Sequence, residues 1–358
     1  MSNMSVSETA AFQNISLSYW GYFTPFGGYG IANFNWVKHL LRKGVKVYPH
    51  AKFMPARDSK EWNILNEEER YIALLPYQRM KVGIIETTPY DFHLIDNEIK
   101  IANTMIENDM VGEPWKQQCK RMNHIIVPNN FQKRCFEEAG FRNVVVIPHG
   151  TEVEKFPYYD RPKREVFTFG IVGWLNDRKG VFEVVRAFAS EFDKNEPVRL
   201  ILKSSNLAFG YFSNWQDNRI RTINRLVSPT DLNRLYQEMD CFVFPSKAEG
   251  VGQPPREAMA TGLPVILTNW SGLEELCKVE ISFPLQVKKL VKGANPQVIE
   301  QPGNWAEIDI AELMYWMRYV YEHQDEAKEK GKKAADFIRQ EFSWEKCACR
   351  LATFVSLL

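Results

Sequence analysis

The feature that most limits the fold of this chain is an alternation of apolar, strand-like runs with helix-like stretches, and it occurs twice. In the first half the predicted strands are 14–22, 45–48, 81–85, 124–127 and 144–147, and the predicted helices are 31–42 and 131–139. The alternation starts again at residue 166 and continues to the C-terminus. Such a pattern indicates parallel sheets flanked by helices, so we expect an α/β protein with two Rossmann-like domains.

The second half of the pattern has its own elements. Predicted strands are 166–172, 198–202, 221–227, 241–244 and 264–267, and predicted helices are 181–192, 230–239, a helix that ends at 259, 308–323 and 326–341. Between the halves, Lys155 to Arg164 is polar, contains two prolines and lacks periodicity. We therefore expect a boundary near residue 160, with domains at 1–160 and 161–341. The length of 358 residues fits two domains.

Charge and apolar runs exclude several classes of protein. The chain has 45 Lys+Arg against 44 Asp+Glu, and residues 1–160 contain 18 of each kind, so no half is a basic surface for a polyanion. No apolar run approaches the ~18 residues of a membrane span, and the N-terminus is polar, which predicts a soluble, cytoplasmic protein. The six cysteines lack C-x-x-C spacing, which favours reduced thiols over a disulfide or zinc framework.

The stretch from Lys247 to Ile266 is the most informative segment for function. It reads Lys-Ala-Glu-Gly-Val-Gly-Gln-Pro-Pro-Arg-Glu-Ala-Met-Ala-Thr-Gly-Leu-Pro-Val-Ile and follows a predicted strand. A glycine loop that opens a helix presents N–H groups and a positive dipole end to an anion. Glu249 lies in the loop, and Glu257 is expected in the first helical turn. Seven residues separate the two glutamates, so we expect them to serve different parts of one ligand.

This stretch resembles the E-x7-E signature of retaining glycosyltransferases of the glycosyltransferase family 4 type. The similarity includes the Gly-Val-Gly turn, Glu-Ala-Met-Ala and Gly-Leu-Pro-Val-Ile. Further segments that resemble the family are 106–115, 126–131, 147–156, 169–180 and 303–307. The resemblance implies a GT-B fold, in which two Rossmann-like domains face each other across a cleft. It also implies that the last helix, in 342–358, packs back on the first domain.

The resemblance implies a role for each matching residue. Glu249 would contact hydroxyls of a donor sugar, and Glu257 would hold the ribose of a nucleotide. The backbone of Gly250, Val251, Gly252 and Gln253 would surround the sugar and phosphates. Lys179 matches the lysine that binds the donor diphosphate, whose growing charge must be stabilised as the glycosyl–phosphate bond breaks.

One position departs from the family pattern. The family usually has an arginine five residues before the lysine, and Trp174 stands there in this chain. Arg178 is a candidate substitute, although adjacent side chains usually diverge, and Trp174 has the alternative interpretation of a packing residue. None of the thirteen aspartates lies two positions from another, so the D-x-D pattern of metal-bridged sites is absent from the sequence. We expect a metal-independent reaction with no cofactor besides a nucleoside-diphosphate sugar as co-substrate.

In the first half, Gly27, Gly28 and Gly30 resemble a family loop near the diphosphate and the acceptor. A dinucleotide site is disfavoured, because Gly28-x-Gly30 is followed by Asn33 where a third glycine is needed, and the next strand ends without an acid. A purely structural turn remains the alternative. Glu107 resembles a glutamate of one family branch and is a catalytic candidate, with a capping carboxylate as the alternative. His149 is expected to be structural, and His93 is a weaker catalytic candidate.

Two further positions are candidates for donor binding. Lys203 ends a predicted strand at the edge where doubly wound folds bind ligands, although strand-end lysines are usually solvated. Leu226 and Val227 lie where the family's backbone meets the nucleobase. The resulting hypothesis is a retaining transfer of a sugar to an acceptor hydroxyl of a glycan, lipid or small molecule, with a nucleic-acid base still open. The alternatives are a GT-B subunit that binds a nucleotide sugar with weak catalysis, a phosphorylase and a sugar-nucleotide epimerase.

Overall fold

The computed structural model describes residues 12–204, 217–293 and 303–358. Its contacts divide the chain into two compact units. Unit 1 contains the residues up to 106, 110–150 and 342–358, and unit 2 contains 107–109 and 151–341. The division after Gly150 precedes the boundary expected near residue 160. Residues after Gly150 already pack in unit 2, where the Tyr159 N–H donates to Thr261 O at 3.0 Å.

Unit 1 is built on a six-stranded parallel sheet in the order β2-β1-β3-β4-β5-β6. Its strands are β1 Ser16–Tyr22, β2 Lys46–Phe53, β3 Val82–Glu86, β4 Ile99–Asn103, β5 His124–Val127 and β6 Val144–Val146. Its helices are α1 Gly28–Arg42, α2 Lys60–Ile64, α3 Glu67–Leu74, α4 Glu113–Cys119, α5 Asn130–Glu138 and the C-terminal α11 Trp344–Ser356, with a 3-10 helix at Pro89–Leu94.

The C-terminal helix α11 contributes to the core of unit 1. Trp344, Leu351 and Val355 are buried in the same apolar cluster as Leu17 and Trp36. The rings of Trp36 and Trp344 meet edge to face with centroids 5.0 Å apart. This packing explains why residues 342–358 fall in the first unit, although they follow the second unit in the sequence.

Unit 2 is built on a second six-stranded parallel sheet, in the order β12-β11-β10-β7-β8-β9. Its strands are β7 Phe167–Val172, β8 Val198–Ser204, β9 Ile220–Asn224, β10 Cys241–Phe244, β11 Val265–Thr268 and β12 Phe283–Leu285, with an antiparallel ribbon of β13 Val287–Lys292 and β14 Asn304–Ile308. Its helices are α6 Val181–Glu191, α7 Pro229–Glu238, α8 Gln253–Ala260, α9 Ile310–Glu322 and α10 Gln324–Phe342, with 3-10 helices at Asp177–Lys179 and Ser271–Leu276.

The strand orders place one switch point in each sheet. In unit 2 the neighbours β7 and β10 are not consecutive, and in unit 1 the same is true of β1 and β3. Ligands of doubly wound sheets bind outside the carboxyl ends of the strands at such a point. The loops after β7 and β10 contain Lys179 and Glu249, so the topology places both predicted residues at the unit 2 switch point.

The expected fold class is confirmed, because each unit has a parallel α/β sheet. Several element predictions were wrong in detail. Helix α1 begins at Gly28 and not at Ile31, so Gly28 and Gly30 lie in its first turn. Strand β9 ends at Asn224, so Leu226 and Val227 lie beyond it. The short strands β4 and β12, the β13–β14 ribbon and helices α2 to α4 were not predicted.

Candidate active site

A buried glutamate at the switch point of unit 2 gathers two cations. Glu249 is only 4% exposed at its side chain, and its Oε1 accepts hydrogen bonds from Lys179 Nζ at 2.5 Å and Ser246 Oγ at 2.6 Å. Arg178 Nη1 lies 3.3 Å from the same oxygen. Three residues that the sequence placed in one site therefore meet at one atom. Ser246 was not predicted, although it is the second residue after β10.

The charged groups of this cluster shift one another's pKa values. Burial opposes ionisation of Glu249, but the charges of Lys179 and Arg178, with hydrogen bonds from Lys179 and Ser246, outweigh it and lower the pKa of the carboxyl. Burial, reinforced by the charge of Arg178, lowers the pKa of Lys179. Lys179 also lies over the ring of Phe244, with 5.3 Å between Nζ and the centroid. We conclude that a buried carboxylate holds two cations close together.

The turn before helix α6 explains how neighbouring residues reach the same atom. Asn176 caps the 3-10 helix Asp177–Lys179 by accepting a hydrogen bond from the Lys179 N–H at 3.2 Å. Gly180 then adopts the left-handed conformation with φ 69°, which costs glycine little. The expectation that Arg178 and Lys179 diverge was wrong, because this tight turn brings both side chains to Glu249. Trp174 is 52% exposed, so it is not a core packing residue.

The backbone of Glu249 is held by a turn that the sequence did not single out. The Glu249 N–H donates to Ser271 Oγ at 2.8 Å, and Glu249 O accepts from the Gly272 N–H at 3.0 Å. Ser271 has φ 56°, a left-handed conformation that is uncommon outside glycine and costs a small amount of free energy. A Cβ at Gly272 would lie 2.4 Å from Gly250 O, so only glycine fits. The turn fixes the position of the catalytic candidate Glu249.

Helix α8 begins directly after the loop, as predicted, but its N-terminus is poor in donors. Gly252 is the N-cap, and Gln253, Pro254 and Pro255 form the first turn. Proline has no N–H, so two of the three first-turn residues donate nothing to an anion. Gly250, Val251 and Gly252 are buried beside Glu249. The positive charge available to an anion here comes mainly from Lys179 and Arg178.

Glu257 lies in the second turn of α8 and not in the first, because the helix begins at Gln253. Its Oε2 accepts a hydrogen bond from the hydroxyl of Tyr236 at 2.9 Å. Burial raises the pKa of Glu257 to about 7, although the Tyr236 hydrogen bond opposes the shift. Tyr236 was not predicted; it is fully buried, and its hydroxyl oxygen also lies 3.3 Å from Pro254 O. Glu257 is therefore a half-buried carboxyl whose pKa lies near neutral pH.

Lys203 lies next to the end of β8, and its position matches the predicted strand end. The side chain is buried, which lowers its pKa, and the carboxylate of Glu257 acts in the opposite direction. Lys203 and Glu257 are thus electrostatic neighbours. Leu226 is exposed in the loop between β9 and α7, and Val227 follows it.

Glu107 belongs to unit 2 although it precedes the linker in the sequence. Its Oε1 lies 3.0 Å from Arg178 Nη2, and the Glu107 side chain is 37% exposed. The backbone of the segment is held by strand β14, since Trp305 Nε1 donates to Glu107 O at 3.1 Å. The structure therefore brings Glu107 into the same cluster as Arg178 and Glu249.

The corresponding edge of unit 1 carries the predicted glycine loop. Gly27 is the N-cap of α1 with φ 79°. A Cβ at Gly30 would lie 2.6 Å from Thr24 O, which supports a packing requirement there. A Cβ at Gly27 or Gly28 would meet nothing within 4 Å. The space beside Gly28 is compatible with a loop near the acceptor. Gly30 is required by the packing of the turn against Thr24.

A second buried glutamate lies at the unit 1 switch point and was missed. Glu86 ends β3, is fully buried, and accepts a hydrogen bond from Tyr19 Oη. His149 Nε2 lies 3.1 Å from Glu86 Oε1, and the His149 ring is 6.1 Å from that of Trp344. His149 is therefore buried in unit 1 beside Glu86 and Trp344. The sequence signal was an acid at the end of the apolar run Val-Gly-Ile-Ile-Glu. His93 lies in the 3-10 helix after β3, with Nδ1 2.9 Å from Tyr90 O.

Among the described residues, no group of three or more His, Cys, Asp or Glu side chains has the arrangement of a metal site. No helix in the described part of the chain is long and apolar enough to cross a membrane.

Comparison with known proteins adds the family context. Residues 166–297, all within unit 2, match the protein family described as Glycosyl transferases group 1. The structure is similar over 96% of the chain to sucrose-phosphate synthase from Thermosynechococcus elongatus, with TM-score 0.70, 15% identity and 99% of that chain covered. It is also similar to Anabaena Alr3699/HepE in complex with UDP-glucose, with TM-score 0.70, 15% identity and coverage of 96% and 100%. The fold is that of GT-B glycosyltransferases.

The sequence relatives are named as glycosyltransferases. The chain is 28% identical over 138 residues to the capsular polysaccharide biosynthesis glycosyltransferase CapM of Staphylococcus aureus, covering 35% of this chain and 36% of CapM. It is 28% identical over 173 residues to an Escherichia coli UDP-Gal:alpha-D-GlcNAc-diphosphoundecaprenol alpha-1,3-galactosyltransferase, covering 44% and 45%. The matches span less than half of either relative's length. Together the family match and these names support a glycosyltransferase.

Proposed function

We propose that this GT-B protein is a retaining glycosyltransferase of the family 4 type, which transfers a sugar from a nucleoside diphosphate to an acceptor hydroxyl without a metal ion. The observation that carries the proposal is the pair of cations, Lys179 and Arg178, on the buried carboxylate of Glu249. They lie at the switch point of the sheet, where a doubly wound fold binds its ligand. The UDP-glucose bound to the structural neighbour from Anabaena supports a nucleotide-sugar donor.

In this proposal each part of the donor has a partner in unit 2. Lys179 and Arg178 bind the diphosphate, with Glu249 and the backbone of residues 250–253 around the sugar. Glu257 accepts hydrogen bonds from the ribose hydroxyls, and Lys203 lies beside it. The main chain at Leu226 and Val227 meets the base. The donor thus extends along the carboxyl edge from Glu249 towards Glu257.

The reaction breaks the bond between the anomeric carbon and the diphosphate oxygen and forms a bond from that carbon to the acceptor oxygen. The acceptor proton passes to the leaving phosphate oxygen, on the same face of the sugar, which retains the configuration. Lys179 and Arg178 stabilise the charge that develops on the leaving group. Glu107 orients the acceptor hydroxyl. No second carboxylate is required as a nucleophile, unlike the pair ~5 Å apart in retaining glycosidases.

The acceptor-side residues of unit 1 are proposed from the loop Gly27, Gly28 and Gly30. The named relatives act in capsular polysaccharide and diphosphoundecaprenol-linked sugar synthesis, so glycans and lipid-linked sugars are the first acceptors to screen. A GT-B subunit with weak catalysis would bind the donor without turnover. A phosphorylase would depend on inorganic phosphate, and an epimerase would form product without an acceptor.

The first test is a thermal-shift panel of UDP, GDP, ADP and their sugars. A ligand at ~100 times its Kd is expected to stabilise the protein by ~2.7 kcal/mol. An acceptor screen with the donor that binds follows, in chelator and with added magnesium or manganese. Restoration of activity by either metal would contradict metal independence. A Glu249→Ala variant as active as the parent would reject the catalytic assignment.

A further inference from the structure

Arg178 joins two carboxylates of very different exposure. Its Nη1 lies 3.3 Å from Glu249 Oε1, and its Nη2 lies 3.0 Å from Glu107 Oε1. Its Nη1 also donates to Ala248 O at 2.5 Å. The side chain of Glu249 is 4% exposed, whereas that of Glu107 is 37% exposed. The guanidinium is therefore fixed on one side and open to exchange on the other.

The net charge of the cluster determines how a diphosphate can bind to it. Lys179 and Arg178 are matched by Glu249 and Glu107, so these four groups have no net charge. A diphosphate in the same place adds negative charge beside two carboxylates, which repels them. Binding becomes more favourable if one carboxylate gives up its cation.

The two carboxylates differ in the free energy of release. Glu249 is buried and accepts hydrogen bonds from Lys179 and Ser246, and a buried carboxylate without partners is strongly unfavourable. Glu107 has enough exposure for water to replace Arg178 around its carboxylate, so its release costs less free energy than release of the buried Glu249. Glu107 is the carboxylate that leaves.

The backbone around Glu107 is fixed independently of Arg178. Asp109 accepts hydrogen bonds from the Asn304 N–H at 2.7 Å and from Asn304 Nδ2 at 2.9 Å, and Trp305 Nε1 donates to Glu107 O at 3.1 Å. Release therefore needs only rotation of the Glu107 side chain, while residues 107–109 stay on strand β14.

We propose that Glu107 is a placeholder for the donor diphosphate: its carboxylate holds Arg178 in position until a nucleoside diphosphate takes its place. The exchange frees a carboxylate beside the site at the moment the donor is bound. Arg178 then supplies the second positive charge that the family takes from an arginine at the position of Trp174. This inference rests on the proposed function.

The test is calorimetric titration of UDP, GDP and ADP, and of the matching nucleosides, into four forms of the full chain. The forms are the parent, Glu107→Gln, Arg178→Ala and the double variant. Glu107→Gln removes the competitor, so we expect nucleoside diphosphate to bind roughly three- to fivefold more tightly. Arg178→Ala is expected to weaken that binding by at least about tenfold. Adding Glu107→Gln to Arg178→Ala is expected to give a smaller gain than in the parent, because only the repulsion between Glu107 and the diphosphate is then removed and no competition for Arg178 remains.

Asp109→Asn is the matched control, since it alters the same segment without touching Arg178. We expect it to leave nucleoside-diphosphate affinity unchanged. An equal gain in Asp109→Asn would show that the segment merely loosened and would overturn the proposal. A gain for the nucleoside alone, or weaker diphosphate binding in Glu107→Gln, would also overturn it. A parent protein that binds none of the three nucleoside diphosphates would instead reject the proposed function.

Discussion

The two units have sheets of similar topology but different side chains at the switch point. Each has a six-stranded parallel sheet with one switch point, and each places a buried glutamate there: Glu86 in unit 1 and Glu249 in unit 2. Glu86 is contacted by a tyrosine hydroxyl and by His149, whereas Glu249 is contacted by Lys179 and Arg178. The fold therefore provides similar positions for the two glutamates, and the side chains that other segments bring to them differ in charge.

The largest expected effect comes from removing Lys179, and it tests the difference between the two switch points. Lys179→Ala removes a buried cation from the unit 2 cluster, and we expect about a 100- to 1000-fold loss of kcat for sugar transfer. Steady-state kinetics with the donor identified by thermal shift provide the measurement. Glu86→Gln is the counterpart in unit 1 and is expected to lower the melting temperature without weakening nucleoside-diphosphate binding. Equal losses of donor affinity in both variants would remove the distinction between the units.

The second prediction compares glycines of the two units. Gly272→Ala places a Cβ 2.4 Å from Gly250 O, so we expect it to displace the Glu249 loop and to destabilise the protein by about 1–3 kcal/mol. Gly28→Ala meets nothing within 4 Å and is expected to leave stability nearly unchanged. Chemical denaturation and donor affinity are measured on both. Similar behaviour of the two variants would contradict the packing argument.

The third prediction concerns pH. The pKa of Glu257 is raised to about 7 by burial, and ribose hydroxyls donate hydrogen bonds, so they favour the ionised carboxylate. Nucleotide binding at pH 7 is expected to release about half a proton and to strengthen by up to about tenfold from pH 6 to pH 8. Calorimetry in buffers of different ionisation enthalpy measures the release, which Glu257→Gln is expected to abolish. Proton uptake would contradict this role.

The same shift has a consequence for stability. The folded protein holds the Glu257 proton above the ordinary carboxyl pKa of 4.5, so ionisation disfavours folding as pH rises from about 4.5 to 7. Glu257→Gln is expected to be more stable than the parent at pH 8 and to have no such advantage at pH 4. Denaturant titrations at the two pH values check the sign.

The smallest expected effect tests whether an arginine at position 174 can replace Arg178. Trp174→Arg in the Arg178→Ala background restores an arginine five residues before Lys179, and we expect it to recover a few-fold of the lost nucleoside-diphosphate affinity. Titration against the single Arg178→Ala variant measures the recovery. Trp174→Gln in the same background is the control, because it removes the indole without adding charge. Equal recovery with glutamine would show that the indole, and not the missing charge, was responsible.

The sequence by itself determined the α/β class, the repetition of the pattern and most elements of unit 2, because long apolar runs and helical periodicity are local signals. It also predicted Glu249, Lys179 and Glu257 as members of one site through their spacing and the resemblance, and the structure brings Lys179 and Glu249 into contact. Short elements such as β4 and β12 were missed, since five or three residues give too little periodicity. The start of α1 was misplaced because glycines normally end helices.

Only the tertiary structure decided which side chains contact the same carboxylate oxygen. The direction of Arg178 depends on a 3-10 turn and on Gly180, and the contact of Glu107 with Arg178 joins residues 71 positions apart. Ser271 Oγ and the Gly272 N–H fix the backbone of Glu249, and these contacts join segments that are distant in the sequence. Local sequence specifies which residues follow a strand, but burial and charge pairing act between segments. These forces determine the pKa values and the ion pairs of the site.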